Sequence, residues 1–271
     1  HDEGRLVENH VKQVEHLLGT GVDVLTVELA CKEDGFTLPD CGGRKIKLLS
    51  DTVLWHKESL INLGAKSCDS RIISWHDSGY ILDDDWVQKA TQAMEDHDLI
   101  QCFSRALWIP KNGRGFHRFE KGIVRACREG GLSHVYGGAW AARREFFEDV
   151  GLYSGCVIGG GDVALAALLG ETVYQRAICA MSPLGKVDYD QWFEKATALG
   201  LRIGYFPGKF LHLWHGEYHK RRYADRHRTL KGEGFDPATD LTVAENGTLS
   251  WASDKSRMHR EIRGYFYSRR I

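Results

Sequence analysis

The stretch that most constrains this chain is a short apolar run followed at once by acidic residues, RIISWHDSGYILDDDW over residues 71–86. Residues 71–75 predict a buried strand, because a β-branched run between polar residues is typical of the middle of a parallel sheet. Asp77 would leave this strand at its carboxyl end, the edge where open α/β sheets bind ligands, so it could hold a cation or a sugar hydroxyl. A turn acid explains Asp77 equally well, since Asp, Ser and Gly also form ordinary loops.

Length and composition predict one large globular domain. The chain has 271 residues, of which 42% are hydrophobic, enough for a sizeable core. No apolar run approaches the roughly 20 residues of a membrane-spanning helix, so no transmembrane segment is expected. The seven cysteines form no C-x-x-C pair, which favours a reducing cytoplasm over a zinc ribbon or a disulfide framework. The sequon at residues 246–248 points weakly the other way.

The charges are unevenly spread although the formal net charge is only −1. Acidic residues dominate the first hundred positions, and basic residues dominate after position 200. This asymmetry suggests a basic wall facing an acidic half across an anionic ligand. A solvated basic helix is the commoner explanation. Nucleic-acid binding is not expected, because the basic residues are mixed with acids and no groove-reading motif is present.

The hydrophobic periodicity predicts an α/β fold in which strands and helices alternate in the doubly wound manner. Such a fold normally begins with a strand, whereas this sequence begins with a helix, so we expect the first strand to be absent or to lie outside the chain. We assign residues 1–232 to the main domain and residues 233–271 to an extension packed on it. The predicted strands cover residues 22–30, 45–49, 71–75, 99–109, 135–142 and 202–206; the predicted helices end near Gly19 and cover 53–65, 86–94, 119–127, 143–150, 163–169, 189–199 and 256–270.

Three glycines precede an acid at Gly159-Gly160-Gly161-Asp162. Glycines before a helix let the backbone approach a ligand closely, and a helix N-terminus favours an anion. A flexible turn with an N-cap aspartate is the simpler alternative.

A second polar group lies late in the chain. His212 and His215 flank Trp214, an arrangement that could supply a metal ligand beside a stacking surface, although lone histidines are more often structural. Arg222 and Arg226 fall on one face of a predicted helix, where paired guanidinium groups could clamp a diphosphate.

In order and spacing, four segments resemble the GT-A glycosyltransferases of the family-2-like type: WHDSG at 75–79, GGAWAARR at 137–144, GGGD at 159–162 and HLWHG at 212–216. The resemblance spans residues 22–226 and implies a GT-A-like, Rossmann-related mixed sheet flanked by helices, with a C-terminal helical extension. It also implies sugar transfer from a nucleotide-diphosphate donor, a UDP- or GDP-sugar, to a glycan or other hydroxyl acceptor, with inversion at the sugar carbon.

The resemblance assigns roles to individual residues. Asp162 falls where the family places its catalytic base, and Asp77 with His212 or His215 falls where it places the ligands of Mn²⁺ or Mg²⁺. The family's second metal-binding Asp falls on Gly79, which would weaken the metal site; Asp83, Asp84 and Asp85 are the second choice. If the metal is poorly held, cationic side chains could take part of its role. Substrate contacts are expected from Glu28, Trp55, Lys57, Trp140, Gly160, Gly161, Trp214, Arg222 and Arg226.

Two other classes of protein remain open. A degenerate GT-A fold that only binds a carbohydrate or a partner is favoured by Gly79 and by the missing first strand. A metal-dependent hydrolase using Asp77, Asp83 and the late histidines fits less well, because hydrolase sites rarely include this Gly-rich acidic segment. Trp251 could be a core residue or an acceptor platform.

Overall fold

The computed structural model describes residues 3–32, 35–216 and 226–268. Its elements alternate between helix and strand through most of the chain, which confirms a mixed α/β fold. The helices are α1 Glu3–Gly19, α2 Lys57–Lys66, α3 Trp86–Asp96, α4 Ile123–Arg128, α5 Arg144–Asp149, α6 Gly161–Ala166, α7 Glu171–Ile178, α8 Pro183–Ala198, α9 His227–Gly232, α10 Pro237–Asp240 and α11 Ser256–Ser268. The strands are β1 Leu25–Cys31, β2 Arg44–Ser50, β3 Ile72–His76, β4 Tyr80–Leu82, β5 Leu99–Gln101, β6 Arg105–Trp108, β7 Arg118–Lys121, β8 Ala139–Arg143, β9 Ile203–Tyr205, β10 Lys209–His212, β11 Leu241–Val243 and β12 Leu249–Trp251.

Strand β3 was predicted to lie in the middle of a parallel sheet, but it lies at the end of a mixed sheet beside an antiparallel neighbour. The strand order of this sheet is β3-β8-β5-β9, so β3 lies at one end and pairs antiparallel with β8, with Trp75 opposite Trp140. Strands β8 and β5 are also antiparallel, and only β5 and β9 run parallel. The predicted burial is also only partly right, because Trp75 is buried whereas Ile72, Ile73 and Ser74 are half-buried. An apolar run specifies neither the place of a strand in its sheet nor the direction of its neighbour.

The predicted single strand over residues 99–109 is wrong, because the chain changes sheets within it. Strand β5 belongs to the sheet of β3, whereas β6 belongs to a second sheet of order β4-β10-β6-β7. Residues 102–104 join them and are buried, as is Gln101 before them, so burial continues across the join although the chain changes sheets. Ser104 fixes the join, since its Oγ donates to the Gly208 carbonyl at 2.9 Å.

Several helices begin at other residues than the sequence pattern predicted. The helix predicted from residue 53 begins only at Lys57, and the one predicted from residue 189 begins at Pro183, where the Ser182 hydroxyl caps it by accepting from the Gly185 N–H. The helix predicted over residues 119–127 begins only at Ile123, because residues 118–121 form strand β7 instead. Helix α7, which was not predicted, follows Gly170.

The C-terminal extension packs on the main domain through an apolar cluster of its own. Met258 and Ile262 of α11 are completely buried in a cluster that also contains Leu54 and Val157. The hydroxyl of Thr52 donates to the Leu249 carbonyl at 2.8 Å and fastens β12 beside the start of α2. The predicted closing helix is thus confirmed, and Trp251, half-buried, packs against this cluster.

Candidate functional site

Asp77 follows directly on the carboxyl end of β3, as predicted. Its backbone N–H donates to the Gly138 carbonyl at 2.8 Å, and its Oδ2 accepts from the Gly138 N–H at 3.0 Å. The side-chain amide of Gln13 binds both ends of the turn over residues 77–79. Its Nε2 donates to the Asp77 carbonyl, and its Oε1 accepts from the Gly79 N–H. Gly79 has a φ of +85°, a left-handed conformation that glycine adopts without strain. The turn therefore holds the carboxylate of Asp77 in a fixed position.

Asp162 lies in the first turn of α6, immediately after the three glycines. Gly160 precedes the helix with a φ of +115°, which a glycine adopts without strain. Gly161 packs directly on Glu58, since a Cβ at Gly161 would lie 2.1 Å from the Glu58 Oε1. Glycine is needed at both positions to bring Asp162 close to α2.

Lys57, the first residue of α2, joins the two acids. Its Nζ lies 2.6 Å from the Asp162 Oδ1 and forms a second ion pair with Asp77. The other carboxylate oxygens meet at Gly137, where a Cβ would lie 2.7 Å from the Asp162 Oδ2 and 2.8 Å from the Asp77 Oδ2. Residues 57, 77, 137 and 162 thus converge on one space, and Asp77 and Asp162 lie side by side there.

The side chains remain partly accessible from solvent. The exposed fractions are 17% for Lys57, 23% for Asp77 and 32% for Asp162. A small ligand can therefore reach the carboxylates, whereas Glu58 behind them is buried.

Burial and mutual charge set the protonation of this group. Burial would lower the pKa of Lys57, but Asp162 and Asp77 outweigh it and hold that pKa well above its usual value. Burial raises the pKa of Asp162; Lys57 opposes this rise and Asp77 adds to it. Burial also raises the pKa of Glu58 to about 8, against the opposing effect of Lys57. At neutral pH the ammonium is therefore charged, and the Glu58 carboxyl keeps its proton.

Glu58 makes the stability of the fold depend on pH. Its pKa is raised from 4.5 to about 8 in the folded state, so the folded chain holds a proton that the unfolded chain releases, and stability falls as the pH rises from about 5 to 8. We expect Glu58→Gln to flatten this decline in urea unfolding measured at pH 5, 6, 7 and 8. Parallel curves for the variant and the parent protein would show that Glu58 is not the group responsible.

Trp55 and Arg226 flank the glycine segment. A Cβ at Gly159 would lie 2.9 Å from the Arg226 Nη1 and 3.9 Å from the Trp55 ring. The Nε of Arg226 donates to the His227 Nε2 at 2.9 Å, and burial, aided by Arg226, lowers the pKa of His227 to about 4. A neutral His227 can accept this bond and orient the guanidinium beside the glycines.

The two predicted histidine ligands lie in an aromatic stack. His212 is buried on β10, between the rings of Trp108 and His215 at centroid distances of 5.8 and 4.9 Å. Tyr80 meets His212 edge-on at 4.9 Å. Ring stacking of this kind favours a structural role.

The side chains present do not fit the metal site that was predicted. Over residues 3–32, 35–216 and 226–268, no three His, Cys, Asp or Glu side chains are grouped to hold a metal ion. The Lys57 ammonium lies between Asp77 and Asp162, in the position where a cation would neutralise these carboxylates.

The structure gives the other residues predicted to contact the substrate different surroundings, and none of those described joins the group of Lys57, Asp77 and Asp162. Glu28 holds the loop after β1, since its Oε1 accepts from the Thr37 and Leu38 N–H groups at 2.8 Å each. Trp140 is 1% exposed and donates its indole N–H to the Tyr136 carbonyl; it is a core residue without a face for a ligand. Trp214 lies under the Lys111 ammonium at 4.9 Å. Arg222 lies outside the described residues.

The sequence matches none of the protein-family models against which it was scanned. A search of curated proteins likewise gives no significant match. In the described part of the chain, no helix is both long and apolar enough to cross a membrane. What the site does has to be inferred from its own residues.

Proposed function

We propose that this chain is a GT-A-type glycosyltransferase, which moves a sugar from a nucleotide-diphosphate donor to an acceptor hydroxyl. The observation that carries the proposal is the convergence of Asp77, Lys57 and Asp162 at the carboxyl end of β3. Acid and cation at one edge of an α/β sheet suit a ligand that is both hydroxyl-rich and anionic. A UDP- or GDP-sugar has both properties.

Asp162 is the general base of the proposed reaction. Its carboxylate takes the proton of the acceptor hydroxyl while that oxygen bonds to the sugar C1, and the bond from C1 to the diphosphate oxygen breaks on the opposite face. Proton transfer of this kind typically contributes ~10²–10⁴-fold to the rate. A pKa raised by burial makes Asp162 a better proton acceptor than an exposed aspartate.

Lys57 and Arg226 offset the charge of the leaving diphosphate. The ammonium already neutralises two carboxylates, and an incoming phosphate oxygen can replace one of them as its partner. The guanidinium of Arg226 lies against Gly159, three residues before Asp162. Fixed cations in a partly buried site stabilise developing negative charge without reorganising.

A cytoplasmic site of action belongs to the same proposal. Six of the described cysteines, Cys41, Cys68, Cys102, Cys127, Cys156 and Cys179, form no disulfide. Cysteines stay reduced in the cytosol, whereas those of secreted proteins tend to form disulfides.

Binding without catalysis is the second candidate, and one observation favours it. Lys57 pairs with both acids at once, so a ligand could be held at a site in which Asp162 never accepts a proton. Such a binding module would hold a nucleotide sugar and leave it intact in the presence of any acceptor, which separates it from the transferase.

The proposal is tested by a thermal-shift panel of UDP- and GDP-sugars, each in EDTA and in MnCl₂. A ligand that binds only the folded state raises the melting temperature, and we expect a UDP- or GDP-sugar to do so equally in both buffers, because Lys57 and Arg226 supply the positive charge. A rise that requires Mn²⁺ would restore the metal prediction and contradict this role of the two cations. No rise with any nucleotide sugar would contradict sugar transfer.

A further inference from the structure

A cavity of about 190 Å³ lies behind the glycine segment and is partly open to solvent. It is bounded by the 153–160 loop, the junction of α7 and α8, and the start of α9. Most of its wall is apolar, formed by Ile158, Val163, Met181, Leu230, Phe235 and Pro237. Such a wall suits a ligand whose body is apolar and whose few polar groups meet fixed partners.

The charged side chains in the cavity wall are cationic. Arg176 of α7 and Arg226 line the cavity, and none of the described residues that line it is acidic. The guanidinium of Arg226 packs against the glycine segment, where a Cβ at Gly159 would lie 2.9 Å from its Nη1. His227 adds no charge at neutral pH, because burial lowers its pKa to about 4. The wall therefore carries positive charge, which favours an anionic occupant.

The charge of Arg176 has no acidic partner among the residues that the structure describes. The side chain is half-buried, and its Nη1 donates to the Tyr136 hydroxyl at 3.1 Å. A neutral phenol replaces only part of the hydration that a partly buried cation loses. An anionic group beside Arg176 would supply the missing opposite charge.

A carboxylate is the anionic group that fits this position best. Its single negative charge matches the single positive charge of Arg176, and its two oxygens can accept parallel hydrogen bonds from a guanidinium. An apolar protein cavity of about 150 Å³ accommodates a benzene molecule, so a cavity of about 190 Å³ holds a ring or a branched aliphatic group of that size with a carboxylate attached. Burial of the apolar part adds affinity that a small inorganic anion cannot obtain.

We propose that this cavity binds an organic carboxylate whose body is an aromatic ring or a branched aliphatic group, with the carboxylate paired to Arg176. The site goes beyond the proposed glycosyltransferase function and does not rest on it, since Lys57, Asp77 and Asp162 do not line the cavity.

The test uses 4-fluorobenzoate as the probe and ¹⁹F NMR of the full chain as the measurement, with 4-fluorobenzyl alcohol as the uncharged comparison. Arg176→Gln removes the charge from the wall. Arg260→Gln, at an exposed position of α11, is the matched control. Ala180→Leu narrows the cavity at a half-buried position of its wall and locates the probe even if Arg176→Gln does not fold.

We expect the parent protein to bind 4-fluorobenzoate at least about tenfold more tightly than 4-fluorobenzyl alcohol, because charge-assisted hydrogen bonds are stronger than neutral ones. Arg176→Gln should bind 4-fluorobenzoate at least about tenfold more weakly than the parent protein does and bind the alcohol equally well. Ala180→Leu should weaken the binding of both probes, and Arg260→Gln should change neither.

The proposal would be overturned if the parent protein does not bind 4-fluorobenzoate or binds the acid and the alcohol equally well. Binding of 4-fluorobenzoate to Arg176→Gln or to Ala180→Leu as tight as to the parent protein would overturn it too. A chain that binds 4-fluorobenzoate through Arg176 and binds no nucleotide sugar would support the carboxylate site and contradict sugar transfer separately.

Discussion

Changing Asp162 to Asn is expected to lower the rate of sugar transfer by ~10²–10⁴-fold, the usual contribution of a general base. The amide has nearly the same shape as the carboxylate but cannot accept a proton from the acceptor hydroxyl at neutral pH. Nucleotide-sugar affinity should change little, because Lys57 keeps its ion pair with Asp77. The measurement is the release of UDP or GDP in the presence of an acceptor, beside the nucleotide affinity of the same variant.

Asp149→Asn is the matched control, since Asp149 is an exposed aspartate at the end of α5. It should leave both quantities unchanged. Turnover of Asp162→Asn equal to that of the parent protein would remove Asp162 as the base, and loss of nucleotide affinity would indicate that Asp162 mainly organises the site.

Lys57→Met is expected to weaken both nucleotide binding and the fold. The variant leaves Asp77 and Asp162 facing each other without the cation between them. Removing one partner of a fully buried ion pair costs about 3–5 kcal/mol; these side chains are 17 to 32% exposed, so we expect roughly 2 kcal/mol. Urea unfolding at neutral pH measures this difference, and titration with UDP and GDP measures the loss of affinity.

The stability difference between Lys57→Met and the parent protein should narrow as the pH falls. Burial raises the pKa of Asp162, so acid protonates it early, and the repulsion in the variant and the attraction in the parent protein disappear together. Lys66→Met, an exposed position on the same helix, is the control and should be neutral. A Lys57→Met variant as stable as this control would show that the ammonium does not hold the two acids.

Two parts of the site could be predicted from the sequence because each belongs to a local pattern. Asp77 follows a short apolar run, and a run of this length bounded by polar residues is typical of a strand. Asp162 follows three glycines, which indicate a close backbone approach. The contacts of Gly137 and Lys57 bring these two acids together in the fold.

The ion pair at the centre of the site could not be predicted. Lys57 lies 20 residues from one acid and 105 from the other, and only the fold brings them together. The burial of Glu58 likewise depends on Gly161, which comes from another part of the chain. The signal that could have found both was the start of α2, placed too early at residue 53; a helix that begins at Lys57 presents both charges toward the glycine segment.

The direction in which neighbouring strands run also could not be predicted from the hydrophobic pattern. The segment over residues 99–109 is mostly apolar, but it contributes strands to two sheets, and Cys102 and Phe103 between them are completely buried. Hydrophobic periodicity measures burial along the chain and carries no information on the partner strand. Trp140 was wrongly predicted to contact the substrate, since the sequence does not distinguish a tryptophan of the core from one that stacks on a ligand.

The most direct test is the acceptor-dependent release of UDP or GDP by the parent protein, followed at neutral pH in EDTA with a nucleotide sugar that raises its melting temperature. We predict that release requires an acceptor alcohol, proceeds without added metal and falls by ~10²–10⁴-fold in Asp162→Asn. A nucleotide sugar that binds and stays intact with every acceptor, in EDTA and in MnCl₂ alike, would contradict sugar transfer at Asp77, Lys57 and Asp162.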